Sequence, residues 1–237
     1  MARTHSGTNQ YIAIQNESAF DFTKDTTLTI MICIKTSTSA AMAYISKGVI
    51  VSPFTGWEMN QNDIDTTEFE FRNIGSGAGN QMRSRTNDRN IPDGTWHILI
   101  VTYNGGGNNN AAGINFYDNG TQAGETIINN NLTTTNTTND NPTIGARPDG
   151  TTDYTGQTAF CAIWNIVLTD SQIAAISRGA NPFVVAHSSN LLCYLPLEGN
   201  ESATEPDFRA QAHQGVMTGP PTKFAGNPPV EHIENYL

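Results

Sequence analysis

Two glutamates separated by one residue are the first pair in the chain that could do chemistry. Glu68 and Glu70 point to one face of a predicted strand, about 7 Å apart. Phe69 and Phe71 point to its other face. Hydrolysis of a glycosidic bond needs two carboxylates, one of which holds a proton. Because Arg72 follows on the same face as the glutamates, we expect a solvated, salt-bridged surface instead of a catalytic pair.

A sugar-binding surface needs one or two exposed aromatic rings surrounded by hydrogen-bonding side chains. Residue types that suit such a surface occur in several stretches of the chain: Trp57, Glu58, Asn60, Glu70, Arg72, Arg83, Arg85 and Tyr154. The same residues have an ordinary alternative, in which the rings belong to the core and the charged groups form surface ion pairs of little energetic value. The sequence leaves both interpretations open.

Charge and composition exclude several classes of function. The chain has 237 residues, 12 Lys+Arg against 22 Asp+Glu, and a net charge of −10. Without a cluster of basic residues it has no phosphate-binding groove, so we expect no nucleic-acid partner. No apolar run approaches the roughly 18 to 20 residues of a membrane helix. Sequence motifs for acyl-transfer nucleophiles, zinc proteases, phosphate loops and dinucleotide sites are also absent.

The cysteines and the first seven residues indicate whether the protein is exported through the Sec pathway. Cys33, Cys161 and Cys193 have neither metal-ligand spacing nor an even count, so we expect buried free thiols. The first seven residues lack the apolar core of a secretory signal. We therefore expect either a protein used without Sec export or a chain from which a signal is missing.

The pattern of short apolar runs between turn residues predicts an all-β fold. The 26 Asn and 30 Thr favour strands and turns over helices. Both faces of Leu28–Lys35 and of His97–Tyr103 are apolar, which predicts central strands. The other predicted strands are 11–14, 42–46, 57–60, 68–73, 114–119, 142–145, 159–167 and 192–197.

One short helix is predicted after this β run. Thr169 and Gln172 form a capping box, Ile173 and Ile176 supply an apolar face, and Gly179 ends the helix. Two polar, uncharged segments, 105–113 and 129–141, are predicted to be solvated surface loops because they contain little apolar area to bury.

Four groups of segments together resemble the laminin-G-like and pentraxin-like domains of the concanavalin A-like lectin/glucanase superfamily. The resemblance runs over roughly residues 7–180, in the family's order: 7–14 with 28–36, then 45–48 with 56–57, then 93–97, 101–105 and 114–121, and last 144–145, 154–156 and 162–173. It implies a two-sheet antiparallel jelly-roll sandwich with one short helix.

The same resemblance bears on chemistry. Glucanases of this fold carry Glu, Asp and Glu at alternating positions of one strand, a spacing this chain lacks, so a non-catalytic protein is expected. Relatives often bind calcium at a sheet rim through Asp, Asn and backbone oxygens. The positions that correspond here are Asp118, Asn119, Asp149 and Asp153, although these residues also suit turns.

Near the C-terminus, the stretches 191–198 and 213–219, with Asp207 between them, resemble a segment that precedes the first strand in many relatives. We therefore expect one domain over residues 1–228, with strand 192–197 packed beside the N-terminal strands, and a C-terminal arm over 229–237. The arm carries enough apolar side chains to dock on an assembly partner such as a capsid or an appendage.

Taken together, these features predict a non-catalytic, lectin-like binding or adhesion module. We expect display on a virion surface or in the extracellular space, with a glycan or host polysaccharide as ligand. The alternative is a phage structural protein, for capsid decoration or a tail fibre, that binds no sugar. A glycoside hydrolase is the third interpretation.

Overall fold

The structure, a computed structural model, describes residues 2–49, 54–63, 66–73, 79–87, 91–185, 189–197, 203–209, 212–219, 221–224 and 228. Its strands are β1 (Ala2–Ser6), β2 (Tyr11–Ile14), β3 (Thr27–Lys35), β4 (Met42–Val49), β5 (Thr55–Asp63), β6 (Thr66–Asn73), β7 (Gln81–Thr86), β8 (Trp96–Asn104), β9 (Ile114–Asp118), β10 (Thr121–Gln122), β11 (Glu125–Asn130), β12 (Thr143–Ile144), β13 (Thr155–Trp164), β14 (Leu191–Leu195), β15 (Thr204–Glu205), β16 (Gly215–Thr218) and β17 (Thr222–Phe224). The helices are α1 (Asp170–Ser177) and α2 (Pro182–Val185), and 3-10 turns occupy Glu17–Phe20 and Ala111–Gly113.

The described strands form two antiparallel sheets that pack face to face. The first sheet has the order β10-β9-β8-β3-β13-β1-β17, with β14 also bonded to β13. The second sheet has the order β11-β7-β6-β5-β4-β12-β2-β16-β15. This arrangement confirms the predicted jelly-roll sandwich, with a second helix, α2, beside the expected one.

The centre of the first sheet is apolar on both faces, as the sequence predicts. Ile30, Ile32 and Ile34 of β3 belong to the core between the sheets. Met31 and Cys33 point the other way and join a second apolar cluster. That cluster lies beneath α1, whose capping box at Thr169 forms as predicted. The three cysteines are buried and free, which confirms that expectation.

The Asn/Thr-rich segment over residues 129–141 is a surface loop only in part, because 129–130 end β11 and two of the other residues are buried. Leu132 is fully buried and Asn136 is 1% exposed. The Asn136 amide donates to the carbonyls of Phe22 and Gly56, at 3.1 Å each. Lys47 Nζ donates to the Thr138 carbonyl at 2.6 Å. Asn and Thr here supply hydrogen bonds that hold the segment against buried backbone, a role that composition alone does not reveal.

C-terminal strands complete both sheets beside the N-terminal ones. β16 pairs with β2, and β17 pairs with β1. β14 pairs with β13, at the end of β13 opposite to the part that pairs with β1. The predicted strand 192–197 therefore bonds to β13 instead of directly to an N-terminal strand. The predicted arm, 229–237, lies outside the described residues.

No helix in the described part of the chain is long and apolar enough to cross a membrane.

The buried amide of Asn136 gives a direct test of the anchored segment. We expect Asn136→Asp to lower the free energy of unfolding by at least about 2 kcal/mol, because a carboxylate cannot donate to the Phe22 and Gly56 carbonyls. Asn139→Asp makes the same chemical change at an exposed position of the segment and is expected to cost less than about 0.5 kcal/mol. Equal costs in urea denaturation would show that the segment is not anchored there.

Candidate functional site

The outer face of the second sheet carries a cluster of charged and amide side chains. We define this outer-face cluster as Glu58, Asn60, Glu68, Glu70, Arg72, Arg83, Arg85 and Arg147. Strand register places Glu58 of β5 directly opposite Glu70 of β6, and Glu70 opposite Arg83 of β7. The structure thus brings six of the eight residues predicted for a sugar site onto one face.

Alternation along β5 and β6 explains why these side chains point outward. Met59 and Trp57 of β5 and Phe69 and Phe71 of β6 belong to the core between the sheets. The residues between them must point to the opposite face, because successive side chains of a strand alternate. The apolar residues therefore fix the orientation of the charged ones.

Ion pairs hold the centre of the cluster. Arg72 donates through Nη2 to Glu58 Oε2 at 2.6 Å, and its Nη1 lies 3.1 Å from Glu70 Oε1. Arg147 Nε donates to both oxygens of Glu58, at 2.9 and 3.2 Å. Arg83 Nη1 lies 3.7 Å from Glu68 Oε2. One carboxylate, Glu58, is thus held by two guanidinium groups.

This face is ordered and largely buried, contrary to the expectation of a solvated surface. Glu58 is fully buried, Glu68 is 1% exposed and Glu70 is 4% exposed. Removing ionised groups from water is costly unless they are paired, and here each glutamate has a guanidinium nearby. Two further atoms, Asn60 Oδ1 and Arg83 Nε, are buried without a hydrogen-bond partner among the described residues.

The electrostatic environment affects Glu70 and Arg147 in particular. Burial raises the pKa of Glu70, and the negative charges of Glu58 and Glu68 act in the same direction, against Arg72. For Arg147, burial alone would lower the pKa, but the adjacent Glu58 carboxylate outweighs it and raises the pKa. Arg147 is therefore a permanent cation, whereas Glu70 gains a proton more readily than an exposed glutamate.

The two predicted aromatic platforms are buried, which corrects that part of the site. Trp57 is 2% exposed, and its indole donates to the Phe20 carbonyl at 2.9 Å. Tyr154 is fully buried, and its hydroxyl donates to the Lys35 carbonyl at 2.9 Å. Neither ring can stack on a ligand. The burial of Trp57 could be predicted from the sequence. Adjacent residues of a strand point to opposite faces, so an outward-facing Glu58 requires Trp57 to point into the core.

Two residues of this face were missed by sequence analysis, Arg147 and Tyr11. Arg147 lies in a tight turn in which its N–H donates to Thr151 and its carbonyl accepts from Gly150. Tyr11 of β2 points outward because Ile12 is in the core, and its ring is partly exposed. A Cβ placed on Gly150 would lie 3.9 Å from Tyr11 Cε1, so the ring adjoins the turn. No local motif marks either residue.

Three of the four residues considered for calcium make hydrogen bonds to other parts of the chain. Asp118 bonds to His97, and the Asn119 side chain accepts from the Ile98 N–H. Asp149 accepts from Thr151. Within the described residues, no group of three His, Cys, Asp or Glu side chains is arranged to hold a metal. Calcium needs six to eight oxygens. Asp118 serves a histidine and Asp149 a turn, whereas Asp153 Oδ1 is buried without a hydrogen-bond partner among the described residues.

His97 joins Asp118 to a second carboxylate, Asp93, at one end of the first sheet. Its Nδ1 lies 3.0 Å from Asp118 Oδ1, and its Nε2 lies 3.2 Å from Asp93 Oδ1. Burial alone would lower the pKa of His97, but bonding to Asp118 and Asp93 outweighs it and raises the pKa. By contrast, burial lowers the pKa of His5 to about 4.

The opposite pKa shifts of His97 and His5 predict that their contributions to folding stability depend on pH in opposite directions. A raised pKa in the folded state means that His97 stabilises the protein below about pH 6.5, and that this contribution is lost as pH rises through the folded-state value. We expect His97→Gln to cost more unfolding free energy at pH 5.5 than at pH 8.5. His5→Gln should show the reverse, because neutral His5 stabilises most above its unfolded value. The same trend for both variants in denaturant titrations would contradict the two environments.

Comparison with solved structures finds the same fold in other proteins. A candidate carbohydrate-binding protein from Bacteroides ovatus is 17% identical with a TM-score of 0.60, and the match covers 92% of this chain and 58% of that chain. The CBM40 domain of the Ruminococcus gnavus IT-sialidase, solved with α2,3-sialyllactose, is 14% identical with a TM-score of 0.57, over 74% of this chain and 96% of that chain. Identities this low show a shared fold alone.

Sequence comparison identifies the family. No curated protein matches the chain. The laminin-G-like model of the concanavalin A-like lectin/glucanases superfamily matches residues 6–174. Because this match covers well over half of the chain, the protein belongs to the concanavalin A-like lectin/glucanase superfamily.

Proposed function

We propose that the protein is a non-catalytic carbohydrate-binding module whose binding surface is the outer-face cluster. The observation that carries the proposal is the ordered network in which Arg72 and Arg147 hold Glu58. Sugar hydroxyls accept hydrogen bonds from N–H donors. The partly exposed guanidinium groups of Arg72, Arg83 and Arg147 offer such donors, and the buried carboxylates behind them hold them in place. Groups already fixed by ion pairs lose little conformational entropy when a ligand binds.

The energetics of the cluster support this proposal. Buried ion pairs rarely stabilise a protein more than apolar side chains of the same volume would. The structural neighbours named above, one of them a sialidase binding module, are consistent with the same use of the fold.

The carboxylate geometry favours binding over hydrolysis. Both oxygens of Glu58 accept bonds from arginines, and Arg72 also pairs with Glu70. A general acid must present a proton to the leaving oxygen, and these pairs hold both carboxylates against cations instead. We expect no release of reducing ends from cello-, xylo-, manno- or laminari-oligosaccharides over 24 h, and release that Glu70→Gln abolishes would establish a hydrolase.

The location of the protein and its assembly partners are proposed separately from its ligand. We propose display on a virion or an extracellular surface, and the 14% charged fraction of the chain suits an uncharged, hydrogen-bonding exterior. Deletion of 229–237 should abolish co-sedimentation with the parent particle while leaving the melting temperature unchanged. Unchanged co-sedimentation would remove the arm as an assembly element.

A glycan array followed by calorimetry tests the binding surface. We expect Arg147→Met to weaken binding of any array hit by tenfold or more, because it removes a cation from the centre of the cluster. Arg178→Met is the matched control, since Arg178 is exposed at the end of α1, over the other sheet. Equal affinities for the two variants would place the ligand elsewhere, and an array without hits would contradict the function itself.

A further inference from the structure

We propose that the outer-face cluster selects neutral, hydroxyl-rich sugars over carboxylated ones, an inference that rests on the proposed function. Charge is balanced among the described residues of this face. The four arginines of the cluster, Arg72, Arg83, Arg85 and Arg147, meet its three glutamates, Glu58, Glu68 and Glu70, and Asp149 of the adjoining turn. Three of the carboxylates have an arginine nitrogen within 4 Å, and Asp149 acts electrostatically on Arg147. The face therefore has no excess of positive charge to offer an acidic ligand.

The outer guanidinium edge of Arg72 is already occupied by carboxylates of the protein. A ligand carboxylate is bound most strongly by two parallel N–H groups of one arginine. Both terminal nitrogens of Arg72 are committed to Glu58 and Glu70. An acidic sugar that took this edge would displace a buried carboxylate and leave it unpaired, which is strongly unfavourable. An internal anion thus holds the place that a ligand anion would need.

The turn over residues 147–151 carries the polar groups that remain available to a ligand. Arg147 contacts Glu58 through Nε, and within the described residues its terminal Nη groups make no hydrogen bond. Asp149 lies in the same turn and supplies acceptor oxygens. A donor and an acceptor side by side match neighbouring sugar hydroxyls, whereas Asp149 repels a carboxylate at this point.

Tyr11 adds an apolar surface next to these polar groups. Its partly exposed ring adjoins Gly150 in the turn that carries Arg147 and Asp149. An aromatic ring flanked by a few oriented polar groups is the usual composition of a small-molecule site. At longer range, the net charge of −10 disfavours the approach of a polyanionic glycan. Stacking and hydrogen bonding, rather than charge attraction, then supply the affinity.

Matched pairs of ligands test the selectivity. Calorimetry at pH 8.0, which favours the ionised form of Glu70, would compare lactose with sialyllactose, xylo-oligosaccharides with glucuronoxylo-oligosaccharides, and methyl-esterified with de-esterified oligogalacturonides. We expect the neutral member of the recognised pair to bind at least tenfold more tightly, with an affinity that changes less than twofold between 50 and 500 mM NaCl. Tighter, salt-sensitive binding of the acidic member would overturn the selectivity but leave the proposed function intact. Absence of binding to every sugar would overturn both.

Four variants assign the selectivity to this face. Tyr11→Ala should weaken neutral-sugar binding at least tenfold, Tyr11→Phe should retain it, and Phe183→Ala, an exposed aromatic on α2 over the other sheet, should leave it unchanged. Asp149→Asn keeps an acceptor oxygen for Thr151 and should strengthen binding of the acidic member at least threefold. An Asp149→Asn variant with unaltered selectivity would show that charge balance is not its cause.

Discussion

The carboxylate of Glu58 is the constraint on which the outer face depends. It is fully buried, and it is held by Arg72 of the neighbouring strand and by Arg147 from the β12–β13 connection. A buried charge must be paired, so this single group fixes both guanidinium planes and, through Arg72, the position of Glu70. The pairing of Arg147 with Glu58 therefore fixes the β12–β13 turn against the second sheet, and this turn forms part of the outer face.

The sandwich beneath is what permits this arrangement. Trp57, Phe69 and Phe71 fill the space between the sheets, so the alternating residues of β5 and β6 must face outward. Elsewhere, polar side chains stabilise the packing of loops by hydrogen bonding to buried carbonyl groups. Asn136 satisfies two buried carbonyls, and Lys47 bonds to Glu17 at 2.9 Å as well as to the Thr138 carbonyl. The surplus of Asn and Thr is therefore partly an interior feature.

Features that depend on residues close together in the sequence could be predicted, whereas features that depend on contacts between distant residues could not. Period-two alternation revealed β6, runs that are apolar on both faces revealed β3 and β8, and a capping box revealed α1, because all three signals are local. β7 and β11 lack apolar runs, and only pairing with β6 and with each other makes them strands. Among site residues, Glu58, Glu70 and Arg72 follow from alternation, whereas Arg147 reaches Glu58 across 89 positions and no local pattern reports that contact.

The most direct measurement of the central claim is an NMR titration of the arginine side chains. Nε–Hε signals would be followed while an oligosaccharide chosen by glycan array is added. The account predicts saturable shifts for Arg72 and Arg147 on the outer face, with Arg178 over the other sheet unaffected. Binding that shifts Arg178 and leaves Arg72 and Arg147 unchanged would contradict it, because the ligand would then occupy a different surface.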